Sequence, residues 1–410
     1  MNGNHNQHGN YKRVIDTAET SWDYSQRSRL SGLNVTVLAP NHLADQFGRR
    51  LHHFCTSSYL GLDYHPRLLN GAVDAIRQNG TLRIANSRNR CKLGVLDDYE
   101  WRLSELFQSH CLATLSCSAA SAGVLPLLAA GVFSDKQPPT LVFDRFANAS
   151  MSHVKAACAD ETQVLTLPHN DMDQLEQVCR DHPRVAYVAD GLYSMGGMCD
   201  LEGLLFLQER YGLLLYLDDS HALSTLGEQG AGLVRPEIDQ ANEQTIIVAS
   251  LDKSFGAGGG LVMLGSERHK RLIHRYGGPT NWSQSLNTAV IGAGLASIEL
   301  HRTHTLTAAQ DKLQKNLRLF DSLVPSEQAG SRSPIRLVRT GDAQSANQLS
   351  ARLADQGYLT SAVFFPIVPN GSAAVRITLR ADMEASVIIH FCTALLELAG
   401  AHLHRRVSQR

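Results

Sequence analysis

Short apolar runs alternate with longer amphipathic stretches through the middle of this chain. The runs lie at residues 112–116, 140–143, 164–167, 184–189, 213–217, 245–249 and 261–264, each bounded by turn-forming residues. They are nearly continuous in apolar character instead of alternating with polar positions, so they read as strands buried on both faces. Between them, stretches from about 119, from about 148, and at 172–180 and 201–211 carry helical periodicity. This alternation predicts an α/β fold: a mostly parallel central sheet with helices on both faces. In such sheets ligands bind beyond the carboxyl ends of the strands. After about 288 the pattern changes to helices at 288–301 and 306–323, strand-like 334–339, a helix at 345–356, strands near 363–364 and 375–379, and a helix at 385–399. That reads as a smaller C-terminal α+β domain. The expected organisation is an N-terminal segment over 1–56, a large domain over 57–287 and a small domain over 288–410. Residues 1–20, rich in Asn, His and Gly without a hydrophobic period, read as a mobile or partner-draped arm.

Two of the strand ends carry chemistry. The run at 245–249 leads into Ser250-Leu251-Asp252-Lys253-Ser254-Phe255-Gly256-Ala257-Gly258-Gly259-Gly260, and the run at 213–217 ends in Asp218-Asp219-Ser220-His221. A lysine in a glycine-rich loop is by itself more often a solvated turn residue. Beside a strand-end aspartate and histidine it suggests pyridoxal phosphate (PLP), which needs a lysine amine for a Schiff base and an acid that keeps the pyridine nitrogen protonated.

Composition narrows the classes. The 410 residues carry a formal net charge of −1 and form no long block of like charge, which gives no reason to expect nucleic acid or an anionic membrane as partner. The eight cysteines form no Cys-x-x-Cys pair, and we expect reduced thiols in a cytoplasmic protein. The longest apolar run, 122–133, is too short to span a bilayer, and the polar start has no apolar core, so neither membrane insertion nor secretion is expected. His301 and His304 have helical spacing that permits a metal site, but without neighbouring carboxylate or cysteine ligands they read as a solvated helix face.

Several segments together resemble the α-oxoamine synthases, fold-type-I PLP-dependent acyltransferases that include 8-amino-7-oxononanoate synthase, 2-amino-3-ketobutyrate ligase and serine palmitoyltransferase. The resemblance runs from Ser57-Ser58-Tyr59-Leu60-Gly61-Leu62 to Val375-Arg376-Ile377-Thr378, through Asp190-Gly191-Leu192-Tyr193-Ser194-Met195, Leu217-Asp218-Asp219-Ser220-His221 and Ser250-Leu251-Asp252-Lys253. It implies Lys253 as the Schiff-base lysine, Asp218 as the pyridine-nitrogen partner and His221 at the ring hydroxyl. Ser194 falls near the ring oxygen. Ser250, Ser116, Cys117 and Ser118 fall about the phosphate, and Ser283 and Ser285 on a segment reaching it from a second subunit. Arg376 is implied as the fork for the amino-acid carboxylate, with Ser57 near it. A homodimer with shared active sites is implied too, working on an amino acid and an acyl thioester carried by coenzyme A or an acyl carrier protein.

The departures fall within this presumed site. Asn148 stands where the family usually has a histidine stacked on the cofactor ring, Ser57 where an asparagine is usual, Ser118 where an aromatic is common, and Gly196 where an aspartate usually follows Ser-Met. All four shorten the side chain, which suggests a roomier cleft for a larger amino substrate or acyl chain, unless other residues refill the space. The expected function is condensation of an α-amino acid with an acyl thioester to an α-amino ketone, with decarboxylation. The alternatives are a PLP reaction of aldol or decarboxylase type without acyl transfer, and a catalytically silent partner subunit.

Overall fold

The computed structural model describes residues 8, 11–238 and 240–404. Two compact units divide the chain: Leu62–Thr307, and Met1–Gly61 together with Ala308–Arg410. The division differs from the expected boundary at 287/288 because helix Thr288–His301 packs on helix Pro66–Asn79 inside the larger unit.

The larger unit is built on a seven-stranded sheet. Its spatial order is His110–Thr114, Gly260–Leu264, Thr245–Ser250, Leu214–Asp218, Val185–Asp190, Thr140–Asp144 and Val164–Leu167. Gly260–Leu264 runs antiparallel to both its neighbours, and the pairings from Thr245–Ser250 outward are all parallel. Every residue of Leu214–Asp218 and of Thr245–Ser250 is buried, as their uniform apolar character requires. Successive side chains point to opposite faces. Leu215, Leu217, Ile247 and Ala249 therefore enter one core, and Leu214, Tyr216, Ile246 and Val248 enter the other.

Local signals set the helix ends. Helix Pro66–Asn79 begins with proline at its first position, where no helical N–H hydrogen bond is lost, and ends at Gly80 with φ 63°. Helix Leu201–Tyr211 is capped by the Asp200 carboxylate on the Gly203 N–H (3.0 Å) and stops at Gly212 with φ 68°. A buried ion pair ties two further elements: Glu100 accepts from the Arg88 guanidinium, from the Ala113 N–H at 3.0 Å and lies 3.2 Å from Lys270. Burial pulls the Glu100 pKa upward, and these partners, Arg88 foremost, more than offset it and hold it below the usual carboxylate range.

The smaller unit carries a four-stranded sheet, Val35–Ala39, His42–Asp45, Arg50–His53 and Tyr358–Leu359, and a three-stranded sheet in the order Ile335–Gly341, Ala373–Thr378, Ser361–Val363. Of the expected arm, residues 1–7, 9 and 10 lie outside the described residues. The rest is not an arm: Tyr11–Arg27 is a helix, and its Trp22 meets Phe364 edge-on at 5.0 Å. That anchoring aromatic lies beyond residue 20, so the first twenty residues look structureless when read alone. None of the eight cysteines is in a disulfide. No helix of the described residues is long and apolar enough to cross a membrane.

The crossing of Pro66–Asn79 over Thr288–His301 depends on two glycines. A Cβ at Gly292 would stand 2.2 Å from the Gly71 carbonyl oxygen, and one at Gly71 would stand 2.7 Å from that of Gly292. Backbone touches backbone there. Gly292→Ala is expected to cost about 1–3 kcal/mol by forcing the helices apart, read as a lowered denaturant midpoint; an unchanged midpoint would mean that the helices separate freely.

Candidate active site

The parallel register brings Asp190, Asp218, Ser250 and the Lys253 loop to the carboxyl ends of neighbouring strands. Asp218 pairs with Asp190 on one side and with Val248 on the other, so Ser250 and the Lys253 loop emerge beside the Asp218 strand end. The loop is closed by Leu251 N–H to Gly259 O at 2.9 Å, Ala257 N–H to Leu251 O at 3.1 Å and Gly256 N–H to Lys253 O at 3.0 Å. Gly256 (φ 81°) has to be glycine, because a Cβ would meet the backbone of Leu62 and Asp63 at 2.9 Å. Lys253 is half-buried and makes no salt bridge among the described residues. Its charge nonetheless acts at Asp190 and at Cys117.

Asp218 is buried with one oxygen 3.4 Å from both the Cys117 thiol and the Ser150 hydroxyl, and the other accepts the Ser220 N–H at 2.9 Å. The Ser220 hydroxyl takes the Ser250 N–H at 2.8 Å and lies 3.6 Å from Cys117. Cys117, Ser150 and Ser220 thus converge on one carboxylate, and Ser250 joins them through Ser220. Asp190 beside it accepts the Asn148 N–H at 2.9 Å. Burial first, and then the neighbouring Asp218 charge, push the Asp190 pKa well above the usual carboxylate range. Burial and then Asp218 likewise raise the Cys117 thiol, so it is a neutral neighbour and no nucleophile.

Helix Cys117–Ala129 begins beside these strand ends. Ser116 is its N-cap and accepts the Ala119 N–H at 3.1 Å. The N–H groups of Cys117 and Ser118 have no partner within the helix, and the dipole makes that end positive. Gly260 lies so close that a Cβ there would be 2.4 Å from the Ser116 carbonyl. Backbone donors at a helix start suit a phosphate.

The other predicted residues are placed as follows. His221 is buried in the turn after Asp218, and its carbonyl accepts the Thr225 hydroxyl at 2.7 Å. Ser194 is half-buried in the turn after Tyr193. The Ser250 hydroxyl donates to Asp252. Ser283 is exposed and donates to the Pro279 carbonyl at 2.8 Å, and Ser285 is half-buried. Asn148 caps the short helix Ala149–Ser152 by accepting the Ser150 N–H at 3.0 Å, so its side chain serves the backbone. Gly196, with φ 92°, supplies a turn that a substituted residue would strain.

In the smaller unit, Arg376 lies buried on strand Ala373–Thr378 with a guanidinium nitrogen 3.4 Å from the Tyr59 hydroxyl, and Ser57 is half-buried.

His169 and Asp219 escaped the sequence reading, and His301 departs from it. His301 is buried, not solvated as expected, with both ring nitrogens engaged, while His304 is exposed at the start of the next helix; no group of metal-binding side chains occurs among the described residues. His169 accompanies the buried Asp144, its Nδ1 3.1 Å from that carboxylate, and lies 4.6 Å from the Tyr193 ring. Asp219, one residue past the strand end at Asp218, turns to the opposite face, toward Leu233 and Val234. It accepts the Leu233 and Val234 N–H groups at 2.7 and 3.1 Å through one oxygen; the other has no partner among the described residues. A Cβ on Gly191 or Gly232 would come within 2.5 or 2.1 Å of this carboxylate, so both glycines make room for it. The signal was the acidic doublet at a strand end.

Burial pushes the Asp219 pKa up to about 7, the two N–H donors only partly offsetting it. The folded state therefore keeps a proton that the unfolded state loses near pH 4, and this contribution to stability falls as pH rises from about 4 to about 7. Asp219→Asn is expected to flatten that decline in stability measured against pH; an unchanged slope would remove Asp219 as its source.

Comparison with known proteins matches residues 51–395 to the family described as aminotransferase class I and II. An 8-amino-7-oxononanoate synthase of Gluconacetobacter diazotrophicus is 30% identical over 367 residues, covering 87% of this chain and 89% of that protein. The one from Geobacter sulfurreducens is 29% identical over 350 residues, covering 83% and 86%. Among solved structures, serine palmitoyltransferase of Sphingomonas wittichii superimposes with a TM-score of 0.83 at 18% identity, covering 96% of this chain and 99% of that one. An 8-amino-7-oxononanoate synthase from Francisella tularensis gives 0.69 at 18% identity, covering 86% and 98%. With the strand-end aspartate and the glycine-loop lysine on neighbouring strands of this sheet, the chain belongs to the aminotransferase class I and II family and, within it, to the fold-type-I α-oxoamine synthases.

Proposed function

We propose that this protein is a PLP-dependent C-acyltransferase that condenses an α-amino acid with an acyl thioester to an α-amino ketone, with loss of carbon dioxide. The observation that carries the reading is the pairing of a buried carboxylate, Asp218, with a lysine free of salt bridges on the next strand end, beside a helix start with unpaired N–H groups. These residues fit the group. Bound PLP supplies an electron sink for the pair of electrons left when the amino acid loses its α-proton. Asp218, supported by the Ser220 N–H and with the Cys117 thiol against it, would keep the pyridine nitrogen protonated. The Cys117 and Ser118 N–H groups with the Ser116 hydroxyl would hold the phosphate, joined by Ser250 once its hydroxyl turns from Asp252, and Ser194 and His221 would hold the ring oxygen. The Lys253 amine, presented by its glycine-rich loop, would take the α-proton of the amino acid and could return a proton to the product carbon.

Arg376 offers the planar fork suited to the amino-acid carboxylate, with Ser57 as a small neighbour in the same unit. Asn148, engaged as a helix cap, leaves the ring without an imidazole partner from that position and without a titrating group there. Together with Ser118 and Gly196 it favours an amino substrate or acyl chain larger than glycine and acetyl. Further parts of the proposal are coenzyme A or an acyl carrier protein as the carrier, a homodimer in which Ser283 and Ser285 reach the neighbouring site, and a cytoplasmic location.

Amino acids supplied with and without acyl thioesters, with free thiol followed in time, test the reaction. Thiol release dependent on both substrates is expected. Its absence for every pairing, with the amino acid still consumed, would replace this reading by PLP chemistry without acyl transfer. Lys253→Ala is expected to lower kcat by roughly 10⁴-fold or more, and Asp218→Asn by about 10²- to 10³-fold; near-normal turnover in either variant would contradict the assigned roles.

A further inference from the structure

Helix Thr288–His301 ends in an imidazole that is 2% exposed. Its Nδ1 lies 2.8 Å from the Ser297 carbonyl oxygen, which can only accept, so the ring proton is on Nδ1. Nε2 is then an acceptor, and the Ser224 hydroxyl donates to it at 2.8 Å. Burial draws the His301 pKa down to about 4, which keeps the ring neutral and this tautomer in place at ordinary pH. The same helix turn reaches a second loop: the Ser297 hydroxyl donates to the Phe255 carbonyl at 2.5 Å, and the His301 ring stands 4.8 Å from the Phe255 ring.

Ser224 follows shortly after His221, and Phe255 shortly after Lys253. The loop on the His221 side is shaped around the imidazole. Ser224 adopts φ 66°, a left-handed conformation uncommon outside glycine, and its N–H donates to the Gly230 carbonyl at 2.7 Å. Gly230, at φ 72°, has no room for a side chain, since a Cβ would stand 2.8 Å from His301 Cδ2. A non-glycine residue held in that region needs its surroundings to hold it.

We propose that His301 is a positioning residue that fixes the His221 turn and the Lys253 loop relative to each other. The inference rests on the reading that His221 and Lys253 act in the site. The two segments are tied at their start by the Ser250 N–H on the Ser220 hydroxyl, and farther along Ser224 and Phe255 both meet this one buried ring. Displacement of either loop by about an ångström would cost the reaction on the order of 10²-fold.

Two substitutions separate the imidazole's bonds. His301→Asn keeps an amide donor at the Nδ1 position for the Ser297 carbonyl and loses Ser224. His301→Gln can place its amide oxygen at the Nε2 position and keep Ser224. Ser224→Ala removes the same bond from the loop side and leaves the helix intact. Hydrogen exchange is measured on the full chain without cofactor, and the absorption spectrum with added PLP and kcat and KM for the amino acid are measured alongside. In His301→Asn and Ser224→Ala, exchange is expected to rise about 5- to 10-fold over 222–232 and 251–259 together, with a weakened PLP absorption signature and kcat reduced more than KM is changed. His301→Gln is expected to restore most of each. Exchange that rises only within 288–301, rises uniformly along the chain, or stays unchanged in both loops would overturn the proposal. Because exchange and the spectrum do not depend on which substrates are used, they decide the matter even if no thiol is released.

Discussion

Two carboxylates, Asp190 and Asp218, meet across paired strands in the protein interior, and such a pair is tolerated only where protons, donors or positive charge relieve it. Much of the larger unit is arranged around that requirement. The Asn148 N–H serves Asp190, and the Ser220 N–H, the Cys117 thiol and the Ser150 hydroxyl serve Asp218. Lys253 contributes its charge from the next strand without closing an ion pair among the described residues. A stable scaffold with no ligand to bind would have closed that pair or replaced the acids with apolar residues, since buried charge seldom adds to stability. The N–H groups at the start of helix Cys117–Ala129 that have no partner within the helix belong to the same pattern of donors left over by the fold.

Parallel strands make this possible because their carboxyl ends fall in one line. Each end then has two choices: one residue continues the strand toward one core, and the next faces the other. Asp218 and Asp219 take opposite choices. The first joins the cluster beneath Cys117, and the second anchors the backbone at Leu233 and Val234 between Gly191 and Gly232. The loop that Asp219 holds from one end is held from the other by Ser224 on His301. Strand-end chemistry and loop anchoring are thus coupled through adjacent residues.

The sheet was legible in the sequence because its strands are buried on both faces, and continuous apolar runs such as 213–217 and 245–249 have few other uses. Lys253, Asp218 and His221 were legible as residue types at strand ends. What escaped notice has a common cause. The helix Tyr11–Arg27 depends on a partner aromatic, Phe364, far along the chain, and His301 is buried by a loop some seventy residues before it. Neither long-range contact leaves a periodic trace. The capping use of Asn148 was hidden for a different reason: a position compared only with a family histidine gives no sign that its side chain is committed to the adjacent N–H.

The central claim is that the Lys253 amine is the group left unpaired for covalent attachment of the cofactor. The direct test is borohydride reduction of the protein with bound PLP, followed by proteolysis and mass mapping of lysine peptides. A pyridoxyl group on Lys253 alone is the result this account requires; a group on another lysine, or none at saturating PLP, would contradict it.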